Sequence, residues 1–315
     1  MVAGSVLILL AIIIFIVYMI KIRKKNNNKI AIIILLILII LSGGAIYSIF
    51  TSYQIYDIKG HKLESESKSD DALESYKKAI EKKKNDTFAY NHIISILMQQ
   101  GRFEEALEYS SKLIEIEKKT DNYINKGNIE WELSEYEKSL ESYEEAIKID
   151  KKAELAYYGM GMVYFAQEEY DKSFDNFNRY IEIVGDDIDA YYYMGTIKFI
   201  ASDYENALIY LDKVTLQGDY PNIYISYFLK GEIYYGKEDY QSAIKNYSKS
   251  IELNVKFGDG YYNLARSYGK LDDADNAIKN LIKSVEISDK FKELAATDGA
   301  FNSLLENEKF IEIIK

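Results

Sequence analysis

YYGMGMVYFAQEEYDKSFDNFNRYIEI (157–183) and YFLKGEIYYGKEDYQSAIKNYSKSIEL (227–253) lie over one another without a gap. Each opens on a tyrosine, has a glycine four places on, and has Ser173 or Ala243 sixteen places on. Working outward from them, tyrosines recur at 56, 90, 123, 157, 191, 227 and 261, at intervals of 34, 33, 34, 34, 36 and 34 residues. The small residue follows each: Ala72, Ala106, Ser139, Ser173, Ala207, Ala243 and Ala277. So does the fourth-place residue: Gly60, Ile94, Gly127, Gly161, Gly195, Gly231 and Ala265. Between the two comes a polar turn, then usually an aromatic: Phe103, Tyr136, Tyr170, Tyr204 or Tyr240. A fixed period of this length is the mark of a repeat architecture. Tyr191, Met194 and Gly195, then Ala207, Leu211 and Val214, keep helical spacing, so each period reads as two helices. A lone helical hairpin cannot bury its apolar face, so neighbours must stack. One proline in 315 residues agrees with an all-α chain, because proline removes a backbone donor and clashes with the preceding turn.

These positions resemble the tetratricopeptide repeat: a large aromatic, then a glycine, an aromatic, and Ala…Phe…Ala. Seven units are expected, at 53–86, 87–119, 120–153, 154–187, 188–223, 224–257 and 258–291. The proline that often closes a repeat is missing from all seven, with Pro221 inside the longer unit. The resemblance implies a right-handed α-solenoid with a concave groove lined by the first helix of each unit. Residues 292–315 break the period, yet Leu294, Phe301, Leu304, Leu305, Phe310, Ile313 and Ile314 are too apolar for a free tail. They read as a C-terminal cap, similar to the D-x-x-F-x-x-L…F-x-x-I ending after some bacterial arrays.

The N-terminus carries a different signal. Residues 2–20 and 30–50 are uncharged apolar runs, each about the ~20 residues that a membrane-crossing helix needs. The loop between them, KIRKKNNNK (21–29), holds five cations. The reading is a transmembrane helical hairpin whose basic loop faces the cytoplasm. The repeats would then lie outside it, anchored to the lipid bilayer at the cell membrane. A cleaved signal peptide is disfavoured because the cations follow the first run and none precedes it. Gly4 and Ser5 fall opposite Gly44 and Ala45, small residues that let the two spans approach.

Charge and composition exclude several functions. Beyond residue 50 the chain has 34 basic and 50 acidic residues, a net of −16, which gives nucleic acid no electrostatic handle. With no cysteine there is no disulfide, thiolate nucleophile or Cys-ligated metal. His61 and His92 fall in successive units at different positions with no ligand spacing around them, and read as surface residues with no metal. The Glu104–Glu105, Glu144–Glu145 and Glu168–Glu169 pairs read as caps and solvated faces. GMG at 159–161 lacks the strand and glycine-rich loop of a nucleotide site. No cofactor and no enzyme activity are expected.

Aromatic residues sort by helical position. The tyrosine at position 4 of each unit, Tyr191 included, reads as packing with its hydroxyl at an edge. The resemblance places positions 5 and 12 in the groove. Position 5 holds Tyr158, Tyr192, Phe228 and Tyr262; position 12 holds Trp131, Phe165, Phe199 and Tyr235. Two aromatic ladders would gather an extended protein segment, with Asn125, Asn128, Asn263 and Arg266 fixing its backbone. Tyr193, at position 6, is assigned no role. The cationic clamp by which some relatives grip a C-terminal carboxylate is not expected, since position 5 carries no cation in any unit. A membrane-anchored protein-binding scaffold is the expectation. A glycan-binding envelope protein, stacking sugars on the same rings, and a structural subunit of a membrane complex are the alternatives.

Overall fold

The computed structural model describes residues 52–217 and 220–315. The expected membrane spans at 2–20 and 30–50 and the loop at 21–29 lie outside the described residues. Within those residues no helix is long and apolar enough to cross a membrane.

The described residues are helical hairpins with no strand among them. They fall into two compact units, one ending at Lys118 and one spanning Lys119–Lys315. The first holds α1 (52–65), α2 (Ser69–Lys82), α3 (Thr87–Gln99) and α4 (Phe103–Ile116). The second holds α5 (Thr120–Glu132), α6 (Tyr136–Ile149), α7 (Glu154–Ala166), α8 (Tyr170–Val184) and α9 (Ile188–Ile200). It continues through α10 (Tyr204–Gln217), α11 (Ile223–Gly236), α12 (Tyr240–Leu253), α13 (Gly258–Lys270) and α14 (Ala274–Ile287). A short α15 (Lys290–Thr297), a 3₁₀ turn (Gly299–Leu304) and α16 (Glu308–Ile314) complete it.

Every hairpin turns the same way. Ser67, Gly101, Ser134, Glu168, Ser202, Glu238 and Asp272 sit at φ between 55° and 69°. At each, the residue's N–H bonds a carbonyl three places back and the next N–H bonds one five places back, as in Glu238→Tyr235 (3.0 Å) and Asp239→Tyr234 (2.9 Å). That pair is the Schellman C-cap, which satisfies the orphan carbonyls of the first helix. Six of the seven left-handed residues carry a side chain, although glycine suits the conformation best. The next residue then starts the second helix, and Asp239 and Asp273 accept the N–H of Ser242 (3.1 Å) and Asn276 (3.2 Å), the N-cap bond that aspartate favours.

The periodic small residues are where the two helices touch. Ala72, Ala106, Ser139, Ser173, Ala207, Ala243 and Ala277 are all fully buried. Where serine stands in for alanine, its hydroxyl donates across the hairpin to a glycine carbonyl: Ser139 to Gly127 and Ser173 to Gly161, both 2.8 Å. The buried polar atom is thereby satisfied. The ring of Tyr143 is pressed from two sides. A Cβ added at Gly127, in its own hairpin, would come within 2.6 Å of the ring, and one at Gly159, in the next hairpin, within 2.4 Å. The glycines of GMG are thus contact surfaces, Gly161 facing Phe177 in the same manner at 3.0 Å.

At the C-terminus, Phe291, Phe301, Leu304 and Phe310 bury against Tyr262, Ala265, Ile278 and Leu281 of α13 and α14. The expectation for the tail is corrected at two residues. Leu294 and Leu305 are about half exposed, at 48% and 51%, because their neighbours Ala295 and Leu304 take the buried face. The carbonyl of Ala300 comes so close to α13 that a Cβ at Gly269 would lie 2.4 Å from it.

Candidate functional site

In the unit of residues 119–315, the aromatic residues of the first helices form local clusters rather than two unbroken ladders. Position-12 rings each rest on the aromatic that opens the following helix. Trp131 lies 5.3 Å from Tyr136, Phe165 5.7 Å from Tyr170, Phe199 6.0 Å from Tyr204 and Tyr235 5.3 Å from Tyr240. All four are half-buried. These tilted and edge-on arrangements suit the aromatic quadrupole.

Tyr193 is central to the largest cluster. It stacks on Phe177 at 5.2 Å and 4°, and meets Phe165 edge-on at 5.1 Å and Tyr192 at 5.4 Å. Tyr158 joins through Phe177 (5.6 Å), and Tyr192 leads to Tyr220 (5.7 Å). Tyr158, Phe165 and Tyr192 are thereby brought together. Burial pushes the phenols of Tyr158, Tyr192 and Tyr193 up from the ordinary tyrosine range, so they stay protonated near neutral pH as contact groups. Tyr191 is buried, at 3% exposure. Its hydroxyl reaches Asp186 and receives Lys213 Nζ at 2.8 Å. Phe228 belongs to a separate cluster, edge-on to Phe257 (5.0 Å) and near Tyr247 (5.6 Å).

Three of the four polar residues expected in the groove have side-chain partners. Asn128 is exposed but accepts the Tyr143 hydroxyl at 2.7 Å. Asn263 is buried; its amide donates to the Asp259 carbonyl (3.1 Å) and its oxygen accepts from Arg266 (2.7 Å). Arg266 pairs with Asp298 at 2.7 Å and lies over the Tyr235 ring at 4.5 Å. Tyr262 stacks on Phe291 at 5.2 Å and donates to Asp298 at 3.0 Å. Asn263, Arg266 and Tyr262 are therefore engaged by α13 itself and by the C-terminal cap, whose Asp298 neutralises the guanidinium. Asn125, half-buried, has no side-chain partner among the described residues.

Beneath Arg266 lies Glu232, which burial pushes up from the usual carboxylate range and which accepts the Tyr247 hydroxyl.

One histidine departs from the surface placement that sequence suggests. His61 is exposed, but His92 is half-buried, stacked on Tyr76 at 4.8 Å and 2.8 Å from Glu64. The signal was available in the repeat arithmetic: Glu64 is at position 12 and His92 at position 6 of the next unit, the same pairing that joins Phe165 to Tyr193.

Family models for tetratricopeptide repeats match residues 89–120, 127–167, 224–255 and 258–291. Among curated proteins, the Hsp70-Hsp90 organizing protein 3 of Arabidopsis thaliana is 34% identical over 95 residues, covering 30% of this chain and 17% of that protein. The match thus spans about a sixth of that relative's length. The solved structure described as YrrB, a TPR protein with an unusual peptide-binding site, is 26% identical with a TM-score of 0.51, covering 57% of this chain and 92% of that one. A structure of pilF from Pseudomonas aeruginosa shares the fold at 15% identity, with a TM-score of 0.56 over 66% of this chain and 94% of that one. The matched segments and the Schellman-capped hairpins agree: the described residues are all-α helical hairpins that carry tetratricopeptide repeats.

Proposed function

We propose that the chain is a membrane-anchored scaffold that recruits an extended segment of another protein along the aromatic faces of its first helices. The observation that carries this is the recurrence of half-buried rings at equivalent places in consecutive hairpins: Trp131, Phe165, Phe199 and Tyr235, with Tyr158, Tyr192 and Phe228 beside them. Aromatic side chains offer large contact area with little rotamer entropy to lose, and they dominate protein interfaces. The peptide-binding site named for the YrrB structure supports the same reading. Likeness to an Hsp70-Hsp90 organizing protein does not bring a chaperone-tail clamp with it, because position 5 lacks cations from Asp57 to Tyr262. Since Asp298 holds Arg266, the binding strip ends at Tyr235, and Asn125 is the amide left to meet a peptide backbone. The apolar runs 2–20 and 30–50 supply the anchor, with the cationic loop 21–29 on the cytoplasmic side.

Photo-crosslinking from the strip in cells tests the scaffold. Tyr192→Leu with Phe228→Leu removes two rings while keeping both positions apolar and leaving only small voids. A partner captured by the parent chain should be lost from the double variant while its melting temperature holds. Equal capture by both would show the rings to be packing alone. Orientation is tested separately: a single cysteine near Lys315 should react with a membrane-impermeant thiol reagent on intact cells, and reaction only after lysis would reverse the assignment.

A further inference from the structure

We infer that His61, Glu64 and His92 form a binding site for a divalent transition-metal ion of the zinc class. The chain has two histidines in 315 residues. They stand 31 residues apart, on α1 and α3, yet one ligand atom from each and one from Glu64 all lie within 4.8 Å of one another. Their rings meet edge-on at 6.0 Å. Convergence of both imidazoles on one carboxylate is a donor set of borderline softness. Such a set suits Zn²⁺, Co²⁺, Ni²⁺ or Cu²⁺ rather than the all-oxygen shells of Ca²⁺ or Mg²⁺.

Geometry favours closure. Zinc holds nitrogen and oxygen ligands at about 2.0–2.2 Å, which in a tetrahedron sets neighbouring ligand atoms roughly 3.3 Å apart. The widest separation therefore needs to close by about 1.5 Å or less, while the Glu64–His92 pair, now at 2.8 Å, opens by about 0.5 Å. His61 and Glu64 are three apart on one helix, so they share a face. His61 is exposed and swings freely, whereas the other two are already placed. His92 is wedged between Tyr76 (4.8 Å) and Phe88 (4.4 Å). Glu64 Oε2 accepts the hydroxyl of the fully buried Tyr76 at 2.5 Å and lies 2.8 Å from His92 Nδ1. Tyr76 thus acts as the outer hydrogen bond that commonly orients a ligating carboxylate. Three protein ligands leave at least one coordination position to water or to an incoming group. A bound ion would also tie α1 to α3.

The test uses the full-length chain, purified without a histidine tag. Cobalt(II) titration should give visible d–d absorption with one ion per chain, displaced by Zn²⁺, and Zn²⁺ should raise the melting temperature. His61→Ala, Glu64→Gln and His92→Ala should each weaken binding at least tenfold, and Tyr76→Phe should weaken it about tenfold, as outer-shell partners do. His61→Ala decides the matter even if a substitution at the packed His92 harms the fold, because His61 is exposed. Cobalt or zinc binding of equal strength in His61→Ala and parent, or none in the parent at millimolar metal, would overturn the assignment.

Discussion

Replacing Gly159 with alanine tests how tightly successive hairpins are joined. An added Cβ would sit 2.4 Å from Tyr143 Cζ and 2.7 Å from two further atoms of that side chain. The ring cannot retreat, since Gly127 backs it on the other side and the side chain is only 2% exposed. Overpacking of this kind costs about 1–3 kcal/mol, offset by about 1 kcal/mol of better helix propensity for alanine. With both sides of the ring blocked, a net loss of about 1–2 kcal/mol is expected. Gly195 supplies the internal control. Its added Cβ would meet the Leu211 side chain at 3.0 Å and the Leu211 backbone nitrogen at 3.3 Å, contacts relieved by a shift of a few tenths of an ångström, so Gly195→Ala should lie within about 1 kcal/mol of neutral, its helix propensity offsetting the crowding. Urea unfolding followed by circular dichroism reads both, with midpoints compared at unchanged slope. Tyr143→Leu should relieve the penalty at Gly159, giving a coupling of about 1 kcal/mol or more in a double-mutant cycle. Gly159→Ala as stable as Gly195→Ala, or coupling near zero, would refute the reasoning.

Asp57, pushed up to about 6 by burial and then by its neighbour Asp86, lowers stability as pH rises from 3.8 through 6, because the folded state holds the proton more tightly. Discounted for partial exposure, the effect is on the order of 1 kcal/mol, and Asp57→Asn should flatten the stability–pH profile across that window. Glu168→Gly, at φ 59°, should stabilise by about 0.5–1 kcal/mol in thermal melts, by removing a left-handed side chain from a helix C-cap. Gly269→Ala, aimed at the Ala300 backbone oxygen, should loosen the C-terminal cap, read as faster amide exchange in α15 and α16 with the exchange of α5–α10 unchanged.

Period and helical pairing were legible because they are one-dimensional: a tyrosine, a glycine and a small residue recurring in phase. What escaped sequence reading depends on contacts between elements. Tyr193 has no role legible in sequence, because Phe165 and Phe177, which pack on it, belong to the preceding hairpin. Arg266 and Asn263 looked free for a ligand, yet Asp298 sits 32 residues beyond Arg266 in a segment with no period to place it. His92 reads as a surface residue in sequence because its partner Glu64 belongs to the preceding hairpin. The left-handed turns were hidden for another reason. Six of the seven use serine, glutamate or aspartate where glycine would have announced the conformation.

Tyr143, clasped by a glycine from each of two hairpins, is shared property: neither hairpin can open without stripping the ring of half its cover. Residues 120–184 should therefore behave as one cooperative block in hydrogen exchange, with matched opening free energies. The joint between α10 and α11, built around Leu211 and the Pro221 segment, lacks such a clasp. Under mechanical load or mild denaturant it should open before the joint around Tyr143, leaving that block closed.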